Sequence, residues 1–513
     1  MSIPHRETRW LTGGRVTRVP LASFGPRLEG WIAEGGRLGL LTACALPEEP
    51  GFALVVLVLD PARHTMELWE APLVSADGSF PSVTPGVPQA HWFERAIYDL
   101  FGLKPEGHPR FKSVILHEAW PEGFYPLRHS EPRLNERNPP RSEYWFLRVS
   151  GEGVYEIPVG PIHAGIIEPG HFRFSCLGEM IENLEIRLGY QHRGIEHQLT
   201  KVPWPRARFL AEAASSDTAV GNAWAHALAV EQLTDVEPPA LAQDLRAVAL
   251  EIERMASHIG DLGGLCSDIG FAAGAAVFGC MRGRALGLGE RLAGSRLQTC
   301  YVLPGGVARG LAGSDRRQLA RDVRELEAAF ERAEPLLMEN AGALERMEGT
   351  GRLRRSLAVD FGLVGPAARA SGVQYDVREA FPQPSHWKVD WKAASGVDGD
   401  VLARARIRVD ETRSSLSMIA ALLDDLPEGG DYCVPMPGTL RPRAAGVGVV
   451  EAWRGELIHL ILTDDAGRIR RYCIKDPSFN NWTGLSIAAR GELVADFPLC
   501  NKSFGLSYSG NDL

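Results

Sequence analysis

The stretch ALAQDLRAVALEIERM, from Ala240 to Met255, carries apolar residues at steps of three and four. This spacing places them on one face of a helix, which is the pattern of a helix that buries a stripe in a bundle. The same periodicity predicts helices over 179–202, 239–265, 315–347 and 400–426. The second part of the chain is therefore predicted to be a helical bundle.

Strand-like patterns flank these predicted helices. The stretches VYEIPVGPIHAG (154–165) and GHFRFSCLG (170–178) precede them, and a two-residue period returns over 447–477 with a DDAG turn. Short apolar runs and turns precede Pro140, and the segment HWFERAIYDLFGL is helix-like. The polar, Pro- and Arg-rich residues 128–145 have the composition of a linker. We predict an α+β protein, with a small α+β domain over 1–140 and the bundle with flanking β elements over 141–513.

Composition excludes several classes of protein. The 513 residues carry a formal charge of −9, which argues against a general affinity for nucleic acid. The apolar run Phe52–Leu59 is too short to span a bilayer and is predicted to be a buried strand. The N-terminal ten residues lack the apolar stretch of a secretory signal, so we expect a cytoplasmic chain unless a partner holds it at a membrane. Eight cysteines include no C-x-x-C pair, so disulfides and a thiolate metal cradle are not expected.

Ionisable residues in apolar or glycine-rich surroundings are candidates for chemistry. His163 and His171 bracket a predicted tight loop, where two imidazoles could bind a carbonyl group or carry protons. Structural histidines of this kind are commoner than functional ones, so both interpretations stay open. On the helix 239–265, Arg254 and His258 interrupt an apolar pattern, and Asp268 follows. Buried ionisable groups need partners, so these form either a charge network or a site.

Longer stretches carry a resemblance to a known family. The segment Glu94–Arg128, ERAIYDLFGLKPEGHPRFKSVILHEAWPEGFYPLR, resembles the signature of the thirty-kilodalton subunit of respiratory complex I and its counterpart in group 4 membrane-bound hydrogenases. Five further stretches resemble the forty-nine-kilodalton subunit of complex I and the catalytic large subunit of those hydrogenases. They are VGPIHAGIIEPGHFRF, LGYQHRGIEHQL, RMASHIGDLGGLCSDIG, LPGGVARG and SGVQYDVREAFP. The two subunits are fused here, as in formate hydrogenlyase and hydrogenase-4 large subunits. The closing sequence DFPLCNKSFGLSYSGNDL looks like the energy-converting hydrogenase-related group, whose members lack nickel ligands.

The resemblance implies what stands at the family's metal site. Nickel–iron hydrogenases of this build hold their metals with four thiolates from two C-x-x-C pairs. Here the first pair falls on Ser215 and Thr218, and the second falls on Ser478 and Asn481. Hydroxyl and amide oxygens would not hold that cluster, because it needs soft thiolate ligands. The resemblance thus implies no Ni–Fe centre and a chain that is not itself an active hydrogenase.

Other functional positions of the family carry over one by one. His171 matches the loop histidine that faces the quinone headgroup in complex I, and Asp268 matches an acidic residue linked to it. His258 matches the histidine near the terminal iron–sulfur cluster of a small partner subunit. Arg193 and Glu196 fall on the R-G-x-E motif, whose Glu is placed for proton transfer.

The cavity-lining positions depart further from complex I. Ser216 aligns with the tyrosine that donates a second hydrogen bond to quinone, and a serine hydroxyl does not reach the same place. We expect the emptied cavity to be lined by residues of the former ligand positions, namely Ser215, Ser216, Thr218, Ser478 and Asn481. The stretch DPSFNNW is similar to the corresponding stretch of complex I, where the ancestral metal cavity is part of the quinone pocket.

Two functions follow from the resemblance. In the first, the chain is the large subunit of an NADH dehydrogenase (quinone)-like or hydrogenase-related complex, and a quinone-like acceptor is reduced beside an iron–sulfur partner. Protons would enter through Glu196, His171 and Asp268. In the alternative, the chain is a redox-inactive scaffold or coupling subunit, with a collapsed cavity packed by Phe479 and Trp482. Both imply a small iron–sulfur subunit, antiporter-like and anchor subunits of a membrane arm, and a peripheral position on the cytoplasmic side of the inner (plasma) membrane.

Overall fold

Helices and small sheets are mixed along the chain. The structure is a computed structural model, and it describes residues 16–46, 51–73, 78–128, 139–163 and 167–513. Helices contain 46% of the residues and strands 18%. These values confirm the predicted α+β class.

The N-terminal part is built on a four-stranded sheet. Its elements are β1 (Thr17–Arg18), α1 (Leu21–Ala33), β2 (Arg37–Ala45), β3 (Phe52–Asp60), β4 (Thr65–Pro72), β5 (Ser79–Pro81), α2 (His91–Phe101) and β6 (Lys104–Glu106). The strand order is β1-β4-β3-β2, with β3 antiparallel to both neighbours. The apolar run predicted as a buried strand forms β3, and the predicted helix is α2, which ends where Gly102 adopts a left-handed conformation.

A three-stranded antiparallel sheet begins the second part. Its strands are β7 (Val154–Val159), β8 (His171–Leu177) and β9 (Met180–Arg187). The sequence prediction of β7 and β8 is confirmed. The prediction of one helix over 179–202 is wrong in its first half, because residues 180–187 form β9. Pairing of these residues with β8 outweighed the helical spacing, and the helix begins only at Ile195.

Helices make up most of the remaining chain. They are α3 (Ile195–Lys201), α4 (Trp204–Glu212), α5 (Ala219–Thr234), α6 (Ala240–Asp268), α7 (Ala272–Ala293), α8 (Gly313–Met338), α9 (Ala341–Met347), α10 (Arg355–Asp360), α11 (Gly365–Ala370), α12 (Val377–Ala380), α13 (Val401–Asp425), α14 (Ser478–Ala488), α15 (Phe497–Phe504) and α16 (Tyr508–Asp512). The long helices α6, α7, α8 and α13 pack on one another in a bundle as predicted, although α7 was not among the predicted helices and the helix predicted over 315–347 is divided into α8 and α9. None of the described helices is both long and apolar enough to cross a lipid bilayer.

Short strands complete the second part. A two-stranded ribbon is formed by β10 (Val302–Leu303) and β11 (Gly306–Val307), and the predicted late strands are β12 (Ala445–Ala452), β13 (Gly455–Thr463) and β14 (Ile469–Lys475). The last three form an antiparallel sheet that is buried almost throughout. The DDAG turn joins β13 to β14 as predicted.

Two glycines let α5 lie directly on this sheet. A Cβ atom at Gly448 would stand 1.8 Å from the carbonyl oxygen of Ala225, and one at Gly446 would stand 2.2 Å from that of Ala229. Only glycine permits so close an approach of helix and strand backbones. The start of α5 follows residues 215–218, so this packing fixes the position of that segment.

One hydrophobic core runs between the two parts of the chain. Leu57 of the N-terminal sheet belongs to the same buried cluster as Phe172 of β8 and Ile458 of β13. A second cluster fills the helical bundle. The domain boundary at residue 140 stays a prediction, and residues 129–138 of the predicted linker lie outside the described residues.

We predict opposite effects for alanine at two glycines. Gly448→Ala should lower the free energy of unfolding by about 1–3 kcal/mol, because the added methyl group forces α5 away from β12. Gly279→Ala is the matched control, since a Cβ atom there meets no atom within 4 Å on an exposed face of α7. It should raise the free energy by up to about 1 kcal/mol. Urea unfolding of the purified chain measures both values, and equal effects of the two substitutions would contradict the packing described.

Candidate functional site

Three of the four predicted ligand positions are joined by hydrogen bonds. The Ser215 hydroxyl donates to an Asp217 oxygen at 2.8 Å and lies 3.2 Å from the Ser507 hydroxyl. The backbone N–H of Ser507 donates to the Ser478 hydroxyl at 2.9 Å. Ser507 therefore connects the segment 215–218 to the start of α14.

An ion pair lies beside these hydroxyl groups. The Arg454 guanidinium donates to both carboxylate oxygens of Asp217, at 2.8 and 2.7 Å, and to the Thr218 hydroxyl at 3.1 Å. It also donates to the carbonyl of Gly505 at 2.6 Å. Burial raises the pKa of Asp217, but the charge and hydrogen bonds of Arg454 outweigh it and lower that pKa to about 2. The pair is therefore charged at neutral pH.

The fourth position is engaged elsewhere. The Asn481 side chain accepts from the N–H of Val364 at 3.0 Å and donates to its carbonyl at 3.1 Å. The next residue of α14, the fully buried Trp482, packs its ring on Tyr508 at a centroid distance of 4.9 Å. Its indole N–H donates to the carbonyl of Ser507. Asn481 is thus part of the packing between α14 and the start of α11.

Ser216 differs from its neighbours because it is exposed. It begins a short 3₁₀ turn over Ser216–Thr218. Ser215, which precedes the turn, and Thr218, which ends it, are both buried. Its side chain lines a small cavity that does not include the other predicted positions. The structure therefore separates Ser216 from the hydrogen-bonded group.

Among the described residues, Arg193 and Glu196 make no hydrogen bond to the side chains of residues 215–218. Arg193 donates to the carbonyls of Ala213 and Ala214 at 2.7 and 2.8 Å, so it holds the chain that leads into Ser215. The buried Glu196 carboxylate accepts from Arg471 at 2.8 Å and from the N–H of Ile474 at 2.9 Å. Both of its oxygens are therefore engaged.

Glu196 also lines a mainly apolar cavity of about 60 Å³ between the two parts of the chain. Other residues of its wall are Leu41, Phe93, Phe101, Cys473 and Phe479. This volume has room for a few water molecules.

His171 stands at the start of β8, apart from the hydroxyl network. Its Nδ1 lies 3.1 Å from the carbonyl of Gly160, and its Nε2 lies 3.4 Å from the guanidinium of Arg173. The ring packs on Phe146 at a centroid distance of 5.4 Å. Burial lowers the pKa of His171, so the imidazole is neutral at neutral pH. His163 contacts the carbonyl of Gly170 in the same loop.

His258 and Asp268 occupy different environments on α6. The fully buried His258 places Nε2 at 2.8 Å from a Glu411 oxygen, and burial lowers its pKa. Asp268 is the exposed last residue of the helix. In the part of the chain that the structure describes, no hydrogen bond joins Asp268 to His171. The two residues that the resemblance links are therefore not in contact here.

A buried ionic cluster surrounds His258. Arginine and carboxylate side chains from several helices and from β12 form mutual ion pairs, namely Glu251, Arg254, Arg369, Asp376, Arg378, Glu411 and Glu451. The alternative of a charge network, left open for Arg254 and His258, is the one that the geometry supports. Among the described residues, no three His, Cys, Asp or Glu side chains are grouped so that they could hold a metal ion.

Several residues of the site escaped the sequence prediction. Arg454 lies in the turn between β12 and β13, and Ser507 lies just before α16, so both reach residues 215–218 from more than 200 positions away. Asp217 lies between the predicted ligand positions Ser215 and Thr218, but no sequence pattern singled it out. A lone arginine between two apolar strands was the only local signal for Arg454.

Comparison with known proteins identifies the family that this chain resembles. The chain matches the family described as respiratory-chain NADH dehydrogenase, 49 Kd subunit, over residues 268–437 and 430–512. It matches the 30 Kd subunit of the same enzyme over residues 34–136.

Individual relatives extend this match to nearly the whole chain. Formate hydrogenlyase subunit 5 of Escherichia coli (strain K12) is 31% identical and covers 98% of this chain and 90% of its own length. Hydrogenase-4 component G of the same organism is 33% identical over 86% of this chain and 77% of its own. A chain in the structure of the membrane-bound sulfane sulfur reductase, an archaeal respiratory membrane complex, superimposes with a TM-score of 0.66 at 28% identity, covering 71% of this chain and 99% of its own.

We predict energetic coupling between Arg454 and Asp217. In a double-mutant cycle with Arg454→Met and Asp217→Asn, the two substitutions should be non-additive by about 1–2 kcal/mol, because each alone leaves a polar or charged partner unsatisfied. The exposed pair Arg324 and Asp424 is the matched control, with a coupling below about 0.5 kcal/mol. Urea unfolding gives all the free energies. Additive effects at the first pair would show that it does not hold the segment 215–218.

Proposed function

Since this chain belongs to the family of large subunits of membrane-bound hydrogenases and complex I-like oxidoreductases, with the 30 and 49 Kd regions in one polypeptide, we propose that it serves such a complex without a Ni–Fe centre. In this proposal a quinone-like electron acceptor is reduced where the chain meets a small iron–sulfur subunit. Antiporter-like and anchor subunits hold the assembly on the cytoplasmic side of the plasma membrane and couple electron transfer to ion translocation.

The chemistry of the four predicted ligand positions carries this proposal. Nickel and iron in this family would need soft thiolates, whereas the side chains here are hydroxyl and amide groups that hydrogen-bond within the chain. The Arg454 guanidinium donates to Thr218, so a positive charge already lies beside one of the positions. A metal cation would have to displace that charge. The donor set therefore does not fit the Ni–Fe centre, and we derive no chemical step through it.

The acceptor site is then assigned to the surface rather than to the interior. The side chains at the former ligand positions hydrogen-bond within the chain, and the cavity beside Glu196 has room for a few water molecules. Ser216 and Ile162 are exposed, and we propose that the iron–sulfur partner packs on this side of the chain. The Nδ1–H of a neutral His171 imidazole donates to the Gly160 carbonyl, so its Nε2 is the atom that would accept a hydrogen bond there, such as from the hydroxyl of a reduced acceptor.

A second candidate function is supported by the packing of Trp482 and Phe479. Trp482 is fully buried against Tyr508, and Phe479 packs on Phe93 of α2 at a centroid distance of 4.8 Å. A cavity filled in this way is what a redox-inactive scaffold or coupling subunit would show. The two functions differ in whether the intact complex reduces an acceptor.

The decisive test uses the complex purified from native membranes. Nickel and iron content are measured, together with electron transfer to quinone analogues and to polysulfide, the latter because a similar solved chain belongs to a sulfane sulfur reductase. We expect iron, no nickel, no hydrogen turnover and reduction of a quinone analogue. Reduction of polysulfide alone would replace quinone by sulfane sulfur as the acceptor class. Absence of every acceptor activity would favour the scaffold, and one nickel per chain would overturn the proposal.

We predict that His171→Ala stops acceptor reduction while the complex still assembles. The loss should be about a hundredfold, as expected for a group that hydrogen-bonds a reacting acceptor. His64→Ala is the control, since His64 also contacts a backbone carbonyl but lies in the N-terminal part. Subunit composition by native electrophoresis and the turnover rate are measured together. Unchanged turnover in His171→Ala would remove this residue from the site.

A further inference from the structure

A water-sized cavity lies behind the exposed Ser216. Its volume is about 30 Å³, enough for one or two water molecules. Its wall includes Asp217, Glu253, Ser257 and Arg282. Ser216, Arg282 and the half-buried Ser257 are accessible to solvent, so the cavity leads from the surface to the buried carboxylate of Glu253.

Glu253 is held by backbone groups rather than by a cation. It lies on α6 with 8% of its surface exposed, and its carboxylate accepts from the N–H groups of Val220 and Gly221 at 2.7 and 3.2 Å. These are among the first N–H groups of α5, which have no partner within that helix. None of the described Lys, Arg or His side chains forms an ion pair with Glu253. Glu196 differs in this respect, because Arg471 pairs with it.

We propose that Glu253 carries a proton at neutral pH, exchanges it with solvent through this cavity, and donates it at the acceptor site. The donor role rests on the proposed function, whereas the exchangeable proton does not. The site is thus assigned to a residue that neither the motif pattern nor the family resemblance singled out.

The surroundings of Glu253 favour the protonated form. Burial is the largest cause, and it raises the pKa of this carboxyl to about 8 despite the two backbone hydrogen bonds. The neighbouring Asp217 carboxylate raises the pKa further, whereas Arg254 lowers it. Arg282 and Arg296 line the cavity, and their charges also favour the ionised form. Asp217 stays ionised because Arg454 neutralises it, so Glu253 is the carboxyl of the two that holds the proton.

In the proposed transfer, one proton passes from Glu253 to the reduced acceptor and is then replaced from solvent. An acceptor of the quinone class takes electrons from the iron–sulfur cluster of the partner, and its reduced oxygen becomes basic. The O–H bond of Glu253 breaks, and the proton passes through cavity water, beside the Ser216 hydroxyl, to that oxygen. A proton from solvent then reaches the Glu253 carboxylate by the same cavity. No covalent bond to carbon changes on the protein.

Infrared difference spectroscopy of the intact complex tests the exchangeable proton without any acceptor. The wild-type complex should show a carboxylic acid band that titrates near pH 8 and shifts in D₂O, and Glu253→Gln should lack it. Glu212→Gln is the matched control, because Glu212 is also a buried carboxylate that accepts from a backbone N–H, that of Cys300, and does not line this cavity. It should retain the band.

A second variant leaves the carboxyl in place. Ser257→Leu fills the cavity, so the band should remain while its shift in D₂O becomes at least about tenfold slower. This variant keeps the proposal testable if Glu253→Gln fails to assemble. A band that persists in Glu253→Gln, or exchange that is as fast in Ser257→Leu as in the wild type, would overturn the proton site.

Acceptor reduction separates this proposal from the proposed function. Turnover should fall about a hundredfold in Glu253→Gln, with loss of the pH dependence near pH 8, and should be unchanged in Glu212→Gln. A lost band with unchanged turnover would reject the donor role. If the wild-type complex reduces no acceptor, the proposed function and the donor role both fail, while the infrared titration still decides whether Glu253 holds an exchangeable proton.

Discussion

The ion pair between Arg454 and Asp217 organises the candidate site. It joins the turn between β12 and β13 to the segment 215–218, and through the Gly505 carbonyl it also holds the chain between α15 and α16. The indole of Trp453 donates to the backbone carbonyl of Asp217, which fixes the same segment a second time. The hydroxyl groups of the site take their orientation from this frame. Arg454 is buried whereas the Asp217 side chain is 46% exposed, and the additional hydrogen bonds of the guanidinium meet the condition under which a buried charge is tolerated.

This arrangement gives neighbouring carboxylates different properties. Asp217 and Glu196 are each paired with an arginine, and the charge of Arg454 lowers the pKa of Asp217 to about 2. Glu253 accepts from the N–H groups of Val220 and Gly221, just after the segment 215–218, without a paired cation among the described residues, and burial dominates its pKa. Pairs of titratable groups whose environments separate their pKa values are a common basis for acid–base chemistry. The same contrast explains why a chain without thiolates at the ligand positions can retain a site for proton transfer.

Sequence periodicity was sufficient for some of the long elements, but it did not predict α5 or α7. The stripe of α6 and the apolar run of β3 specify their own burial, so each could be predicted from local spacing. The prediction for residues 180–187 was wrong because their apolar positions fit both the helical and the strand period. Only pairing with β8 decides between the two. The site was predictable only as a set of positions inherited from the family. Its partners Arg454 and Ser507 come from distant turns, and no local pattern indicates a contact across more than 200 residues.

Whether a metal centre can form depends on what occupies the space between residues 215–218 and the start of α14. A cryo-electron microscopy map of the complex from native membranes, at a resolution that shows side chains, measures this directly. We predict continuous density from Arg454 to Asp217, an ordered contact between Ser215 and Ser507, and no peak of metal density among the four ligand positions. Strong density coordinated by Ser215, Thr218, Ser478 and Asn481, with Arg454 displaced, would contradict it.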